Sequence, residues 1–485
     1  MHALPVTNHP RRHRPGDDPY LLSCSDAPLS QGGDGGAASS NKTARARWPI
    51  VTDQRCATRE LPPLALPPFH CCPPPSPSEP IPFAFPDPAT TPLRTRRPAH
   101  AAAGDADHVA KYARAVALKK ALPPLDPRSF HQQANIHCAY CTGAHRQAGR
   151  SDLGVEVHFS WLFFPFHRAY LYFFERIAAK LLGDPGFALP FWAWDVPEGM
   201  RIPDAFADEA SPLYDAMREP AHAPPKLGDL DFSWGEEKNL TDDQQVLLNL
   251  RLMYKQMVSG ARLPALFLGQ PYRAGDDAMP VWTGDQSLFN VEDMGVYYSA
   301  GRDPIFYAHH ANIDRLWEAW RRDIIGAGSG RGPDLDDPDM LDGDRLRYTY
   351  NAGADDDRPQ PWLDPAARPP ATPGVNPEGG RRLGSVVSFH VSLDAPVTAE
   401  VRRPPRARRW WRSLLEKSKP AAQEEVLVVE SIESDAGEFV RFDVHVNARE
   451  FRKVPSGGRD MAGSFATLKH PGGGKVVRTS MRGWR

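Results

Sequence analysis

The sequence predicts a mainly α core, a four-helix bundle, followed by a C-terminal β-sandwich-like domain and preceded by a proline-rich arm tethered through its cysteines. Three observations predict it. Four segments between residues 105 and 322 carry apolar side chains at three- to four-residue spacing, and beyond about residue 380 the apolar period changes to two. Many of the 51 prolines fall before residue 130, in runs such as PPLALPP (62–68) and CCPPPSPSEP (71–80). Proline usage is about twice the ordinary ~5%, and its fixed φ and missing N–H keep such runs extended.

Residues 1–50 are rich in Gly, Ser, Asp and Arg without periodicity and are expected to be disordered. They contain no apolar stretch of the kind a secretory signal needs, and Asp17, Asp18, Asp26 and Asp34 depart from the acid-poor pattern of a plastid transit peptide. Residues 51–104 form the arm. DADHVAKYARAVALKKAL (105–122) spaces Val109, Tyr112, Ala113 and Val116 as an amphipathic helix, stopped by Pro123 and Pro124. FSWLFFPFHRAYLYFFERIAAKLL (159–182) is apolar on most faces and ends at GDPG, as befits a helix inside a bundle. LTDDQQVLLNLRLMYKQMV (240–258) opens with Thr241 as N-cap, and DPIFYAHHANIDRLWEAWRR (303–322) starts at Asp-Pro and closes on basic residues that suit a helix C-terminus. The bundle is thus placed at 105–335, a linker at 336–380 and the β domain at 381–485. Strands are expected at SVVSFHVSL (385–393), EEVLVVESI (424–432) and FVRFDVHVN (439–447).

Lys and Arg total 58 and Asp and Glu total 60, a net charge of −2 that carries no nucleic-acid footprint. No stretch reaches the roughly 18 consecutive apolar residues of a membrane-spanning helix. The basic stretch RRPPRARRWWR (402–412) reads as a solvated interstrand loop. All six cysteines, Cys24, Cys56, Cys71, Cys72, Cys138 and Cys141, lie in the first third. Bridges from the arm to the body would restrict the unfolded chain, each contributing about 2–4 kcal/mol, and would imply an oxidising compartment.

Of 17 histidines, five cluster around the bundle: His137, His158, His167, His309 and His310. A neutral imidazole in an apolar helical interior must be hydrogen-bonded or metal-bound. Several on neighbouring helices point to a metal, because facing side chains build metal sites in bundle cores. No carboxylate is expected to face inward with them, which argues against a di-iron centre and leaves copper or zinc. Cys138 and Cys141 lack the second Cys/His pair of a zinc knuckle.

HCAYC (137–141), EVHFSWLFFPFHRAYLYFFERI (156–177), ALPFWAWD (188–195) and DMGVYYSAGRDPIFYAHHANIDRLW (293–317) resemble the plant polyphenol oxidases, the catechol oxidase and tyrosinase group. The resemblance implies a bundle holding two coppers, each on three histidines, that bind dioxygen between them and oxidise o-diphenols to o-quinones, with small phenolic substrates and dioxygen as partners. It makes His137, His158 and His167 the ligands of the first copper, and His310 the last ligand of the second. Spacing alone does not choose between His309 and His310, which stand about 100° apart on a helix. The resemblance further implies a thioether between Cys141 and His158, disulfides Cys56–Cys72 and Cys71–Cys138, and an aromatic gate at Tyr297, with Cys24 left over. It implies a plastid location in the thylakoid lumen, and a C-terminal domain, with VRFDVHVN (440–447) as its signature, that covers the site in a latent form.

Three places depart from that pattern. The family's second copper takes two further histidines just before a W-T-G-D segment, yet GQPYRAGDDAMPVWTGD (269–285) contains none, and the nearest upstream is His222 in EPAHAPPK. The residues therefore predict one complete copper site and a remnant of the other. DPDMLDGDRLRYTYN (337–351) joins the tyrosine motif, Tyr348 and Tyr350, directly to the segment before it, and GGGKVVRTSMRGWR (472–485) departs from the family, so the β domain reads as incomplete.

Overall fold

The computed structural model describes residues 52–56, 71–74, 83–100, 106–158, 160–231, 240–262, 264–269, 272–276, 282–283, 294, 298–326, 343–351, 360–369, 426–435, 440–446, 448, 454, 458–467 and 475–483. The arm supplies β1 (Thr52–Cys56) and β2 (Arg94–Arg96). Helices α1 (Ala106–Ala121), α2 (Phe130–Tyr140) and α3 (Phe163–Leu182) follow, with the hairpin of β3 (His145–Gln147) and β4 (Arg150–Gly154) between α2 and α3. The short α4 (Asp204–Ala207) precedes α5 (Asp242–Tyr254), then come α6 (Pro264–Leu268), β5 (Trp282–Thr283) and α7 (Ile305–Ala319). The tyrosine motif forms β6 (Tyr348–Tyr350), and the C-terminal part β7 (Val426–Asp435), β8 (Val440–His445), β9 (Met461–Thr467) and β10 (Lys475–Gly483).

The core is helical: α3 packs between α1 and α7, and α2 packs on α1. This corrects the expected bundle membership. Helix α5 forms where expected, with Thr241 in a reciprocal capping box with Gln244, but it lies against the turns Pro361–Leu363 and Pro365–Ala367. Its place beside the histidines is taken by α2, which the sequence reading did not anticipate. FHQQANIHCAY is half polar, so it shows no clean apolar stripe; yet Gln132, Gln133 and Asn135 are buried. Gln132 and Gln133 direct their amides at the carbonyls of Pro124 (2.7 Å) and Pro127 (2.8 Å). Those bonds occupy the amide N–H groups and offset the burial of both side chains.

Helix α3 starts at Phe163 rather than 159, because Ser160 turns the chain first, its carbonyl accepting from Phe163 N (3.0 Å). It ends at Gly183, whose left-handed φ of 69° lets its N–H reach the carbonyls of Ala179 and Lys180. Helices α5 and α7 continue into π-turns, Lys255–Ser259 and Trp320–Gly326.

Beneath α3 and α7 lies a buried ionic layer. Glu175 of α3 accepts from Arg94 Nε (3.0 Å), Arg96 Nε (2.9 Å) and Leu189 N (2.9 Å). Asp314 of α7 accepts from Arg168 Nε (2.6 Å), Tyr348 Oη (2.6 Å) and Tyr350 Oη (2.5 Å), with Arg96 Nη1 at 3.3 Å. β2 and β6 pair in parallel, Arg94 to Tyr348 and Arg96 to Tyr350, which puts these donors in register over both acids.

In the C-terminal part, β10 pairs antiparallel with β7 and parallel with β5, and β8 pairs with β9, Phe442 stacking on Phe465 at 4.9 Å. The stretch 472–485, read as departing from the family, supplies β10, the central strand of its sheet. The expected strand at 385–393 lies outside the described residues.

Candidate metal centre

Ser129 caps α2 by accepting Gln132 N (3.1 Å), and the helix carries His137 in its last turn, 1% exposed. The next residue, Cys138, is bonded to Cys71, and Cys56 is bonded to Cys72, so the arm is tied beside His137. Cys141 closes the helix, its N–H donating to His137 O (2.9 Å), and its thiol is fully buried. Burial, with Glu156 nearby, pushes that thiol's pKa well up.

The β3–β4 hairpin returns the chain to Glu156 and His158. Glu156 Oε1 accepts from His158 N (2.9 Å) and stands 2.7 Å from His158 Nδ1. An inward carboxylate is therefore present, contrary to expectation. It holds the imidazole instead of joining the ligand group, with Nδ1–H donating to it and Nε2 left as the lone-pair nitrogen. The E-x-H spacing carried that signal in the sequence.

His167 stands one turn into α3. Its Nδ1 donates to Phe163 O at 2.7 Å, which assigns the lone pair to Nε2. That nitrogen is buried with no hydrogen-bond partner among the described residues, a condition that costs about 1–3 kcal/mol unless something takes the lone pair. Burial, with His158 beside it, drives the imidazole's pKa well below its ordinary value, so the ring is kept neutral, the form that binds metals.

The rings of His137, His158 and His167 form an even triangle, each pair of centroids 5.5 Å apart. Ligand atoms of these three and Cys141 Sγ all lie within 4.8 Å of one another, the one such group among the described residues. Three imidazoles converging in an apolar wall fit a single copper or zinc ion. Phe306, 4.5 Å from His137, and Phe163, 4.7 Å from His167, close that wall.

Helix α7 separates its two neighbouring histidines. His310 stacks on His167, centroids 4.0 Å apart and 5° from parallel, and its Nδ1 is buried without a hydrogen-bond partner among the described residues. His309 turns away and accepts from Trp194 Nε1 at 3.0 Å.

The segment before Trp282 contributes no imidazole: no histidine occurs from 223 to 308. Its described part is bound elsewhere. Tyr272 Oη donates to Gly154 O (3.1 Å) and accepts from Gln147 Nε2 (3.2 Å), while Phe267 stacks on Trp320 at 4.2 Å. His222 sits in the turn Pro220–His222, outside the group. Tyr297 lies outside the described residues. Among the described residues, no group of three metal-ligating side chains includes His310.

Comparison with known proteins adds to this geometry. The common central domain of tyrosinase matches residues 127–323, and the chloroplastic polyphenol oxidase C-terminal domain matches 389–483, a span that includes most of the stretch after 472. Chloroplastic polyphenol oxidase of Malus domestica is 42% identical over 86% of this chain and 74% of its own length. Aureusidin synthase of Antirrhinum majus is 40% identical over 91% of this chain and 82% of its own. The solved structure of a latent aurone synthase (polyphenol oxidase) superposes with a TM-score of 0.74 at 32% identity, covering 90% of this chain and 91% of that one.

Proposed function

Since this chain belongs to the tyrosinase family of plant polyphenol oxidases, a family of copper oxidoreductases, we propose that it oxidises o-diphenols to o-quinones with dioxygen. Two diphenols would give up four electrons and four protons to one dioxygen, leaving two waters. The even triangle of buried imidazoles is the observation that carries this reading. Copper held there would supply one-electron exchange with dioxygen. The residues do the remainder: His137, His158 and His167 offer nitrogens, Phe163 O and Glu156 fix two of the rings, and Phe163 and Phe306 exclude water. Tyr297 is proposed as the gate that substrate passes. The relatives' chloroplastic names support a plastid location, within which the thylakoid lumen is proposed, where the disulfides would persist.

Cys141 and His158 are proposed to be joined by a thioether. An S–H and a ring C–H bond break, a C–S bond forms, and the two electrons and two protons pass to dioxygen. Peptide mass spectrometry is expected to find the two residues' peptides linked with loss of two hydrogen atoms; separate peptides with a free thiol would refute the link.

The absence of any histidine from 223 to 308 favours a second reading, a copper-binding protein that uses the first site alone. Metal analysis of the purified chain, together with oxygen uptake on catechol, separates the two. Two coppers per chain with uptake support the oxidase; one copper without uptake overturns it in favour of the second reading.

A further inference from the structure

A cavity of about 330 Å³ opens on the far end of α2 from His137. Lys119 and Lys120 of α1, His131 of α2 and Arg302 line it, and no carboxylate does. The acids that act on these lysines through space, Asp126 on Lys119 and Asp215 and Asp303 on Lys120, do not line the cavity, and two of them are paired with arginines: Asp126 with Arg128 (2.7 Å) and Asp303 with Arg218 (2.7 Å). Lys119 is fully buried, yet among the described residues its ammonium has one long hydrogen bond, 3.4 Å to Arg128 O, and lies 4.1 Å from the centre of the Phe174 ring, while the exposed Lys120 donates to Pro212 O (2.8 Å). Arg302 is aimed by donating to Asn135 Oδ1 (2.8 Å) and to His131 Nδ1 (3.1 Å), and burial, with Arg302 beside it, lowers that imidazole's pKa. A buried ammonium without a carboxylate is an expensive arrangement. Burial pushes Lys119 well below its ordinary pKa and Arg302 down to about 10, a cost that an incoming anion would offset. The N-terminus of α2 at Ser129 and Phe130 opens on the same cavity and adds its partial positive charge. The remaining wall is apolar, from Leu122, Pro124 and Phe130, and the volume is at the small end for organic ligands.

We infer that this cavity binds a small organic oxyanion, its charged group between Lys119, Lys120 and Arg302 and its apolar body against Leu122, Pro124 and Phe130. The site is separate from the metal centre and does not depend on the function proposed for it. The test is calorimetric titration of the full chain, copper removed by chelation so that the imidazoles cannot hold the probe through a metal. Benzoate combines both halves of the ligand, inorganic phosphate has the oxyanion without the apolar body, and benzyl alcohol has the ring without the charge. Benzoate is expected to bind more tightly than phosphate, and benzyl alcohol not at all. Lys120→Gln, an exposed change that should fold normally, is expected to weaken benzoate about tenfold, the factor that corresponds to about 1.4 kcal/mol. Phosphate binding as tightly as benzoate would overturn the organic half of the inference and keep the oxyanion half. No benzoate binding, or binding that Lys120→Gln and Arg302→Gln both leave unchanged, would overturn the inference entirely.

Discussion

His167→Ala is expected to lower copper affinity at the first site by more than about 100-fold, since loss of a group that merely orients a ligand already costs about 10–100-fold. The change removes the buried Nε2 and one corner of the ring triangle. It also removes the ring on which His310 stacks. Chelator competition on the folded protein measures the affinity. The control is His309→Leu, equally buried on the neighbouring helix, whose ring accepts from Trp194 and points away from the triangle. That variant is expected to lose some stability and keep first-site copper. If it lost copper as His167→Ala does, the assignment of the triangle would be wrong.

Asp314→Ala is expected to destabilise the folded chain by about 3–5 kcal/mol, the usual consequence of leaving one side of a buried ion pair uncompensated. Arg168 and Arg96 would both lose their shared carboxylate, and two tyrosine hydroxyls their acceptor. A lowered urea midpoint measures it, whereas Asp152→Ala at the exposed Arg150 pair should leave the midpoint where it was. An unchanged midpoint in Asp314→Ala would show that the ionic layer does not hold the core. The same layer sets an acid limit. Burial alone would raise the Glu175 carboxyl, but Arg96 and Arg94 outweigh it and hold the group at about 2 against an ordinary 4.5. A carboxyl depressed on folding contributes stability that is fully present above its unfolded value and lost as pH falls through the folded one. Unfolding should therefore become easier between about pH 4.5 and 2, and Glu175→Gln should flatten that dependence.

Much of this arrangement was legible in the chain itself. The helices at 106–121 and 163–182 follow directly from apolar spacing, because their buried faces are aliphatic and aromatic. Helix α2 was not legible, since its burial depends on amides that donate to carbonyls of the proline-rich turn just before it, which periodicity does not record. Glu156 was overlooked because it sits outside any helix, and a two-residue offset becomes a ligand clamp only when the chain turns at His158. The neighbours His309 and His310 were indistinguishable by spacing. What separates them is the indole of Trp194, brought alongside by a segment more than a hundred residues earlier.

The sheet that β5 shares with β10 has a consequence for biosynthesis. Trp282 and Thr283 pair with Ser480 and Met481, which follow them far later in the chain. Helices α1 to α3 can dock as soon as they emerge, as nascent domains generally do, whereas β5 must wait until β10 has been made. A translation product stopped before Lys475 would keep all three imidazoles of the triangle and have no described strand to pair with the stretch at Trp282.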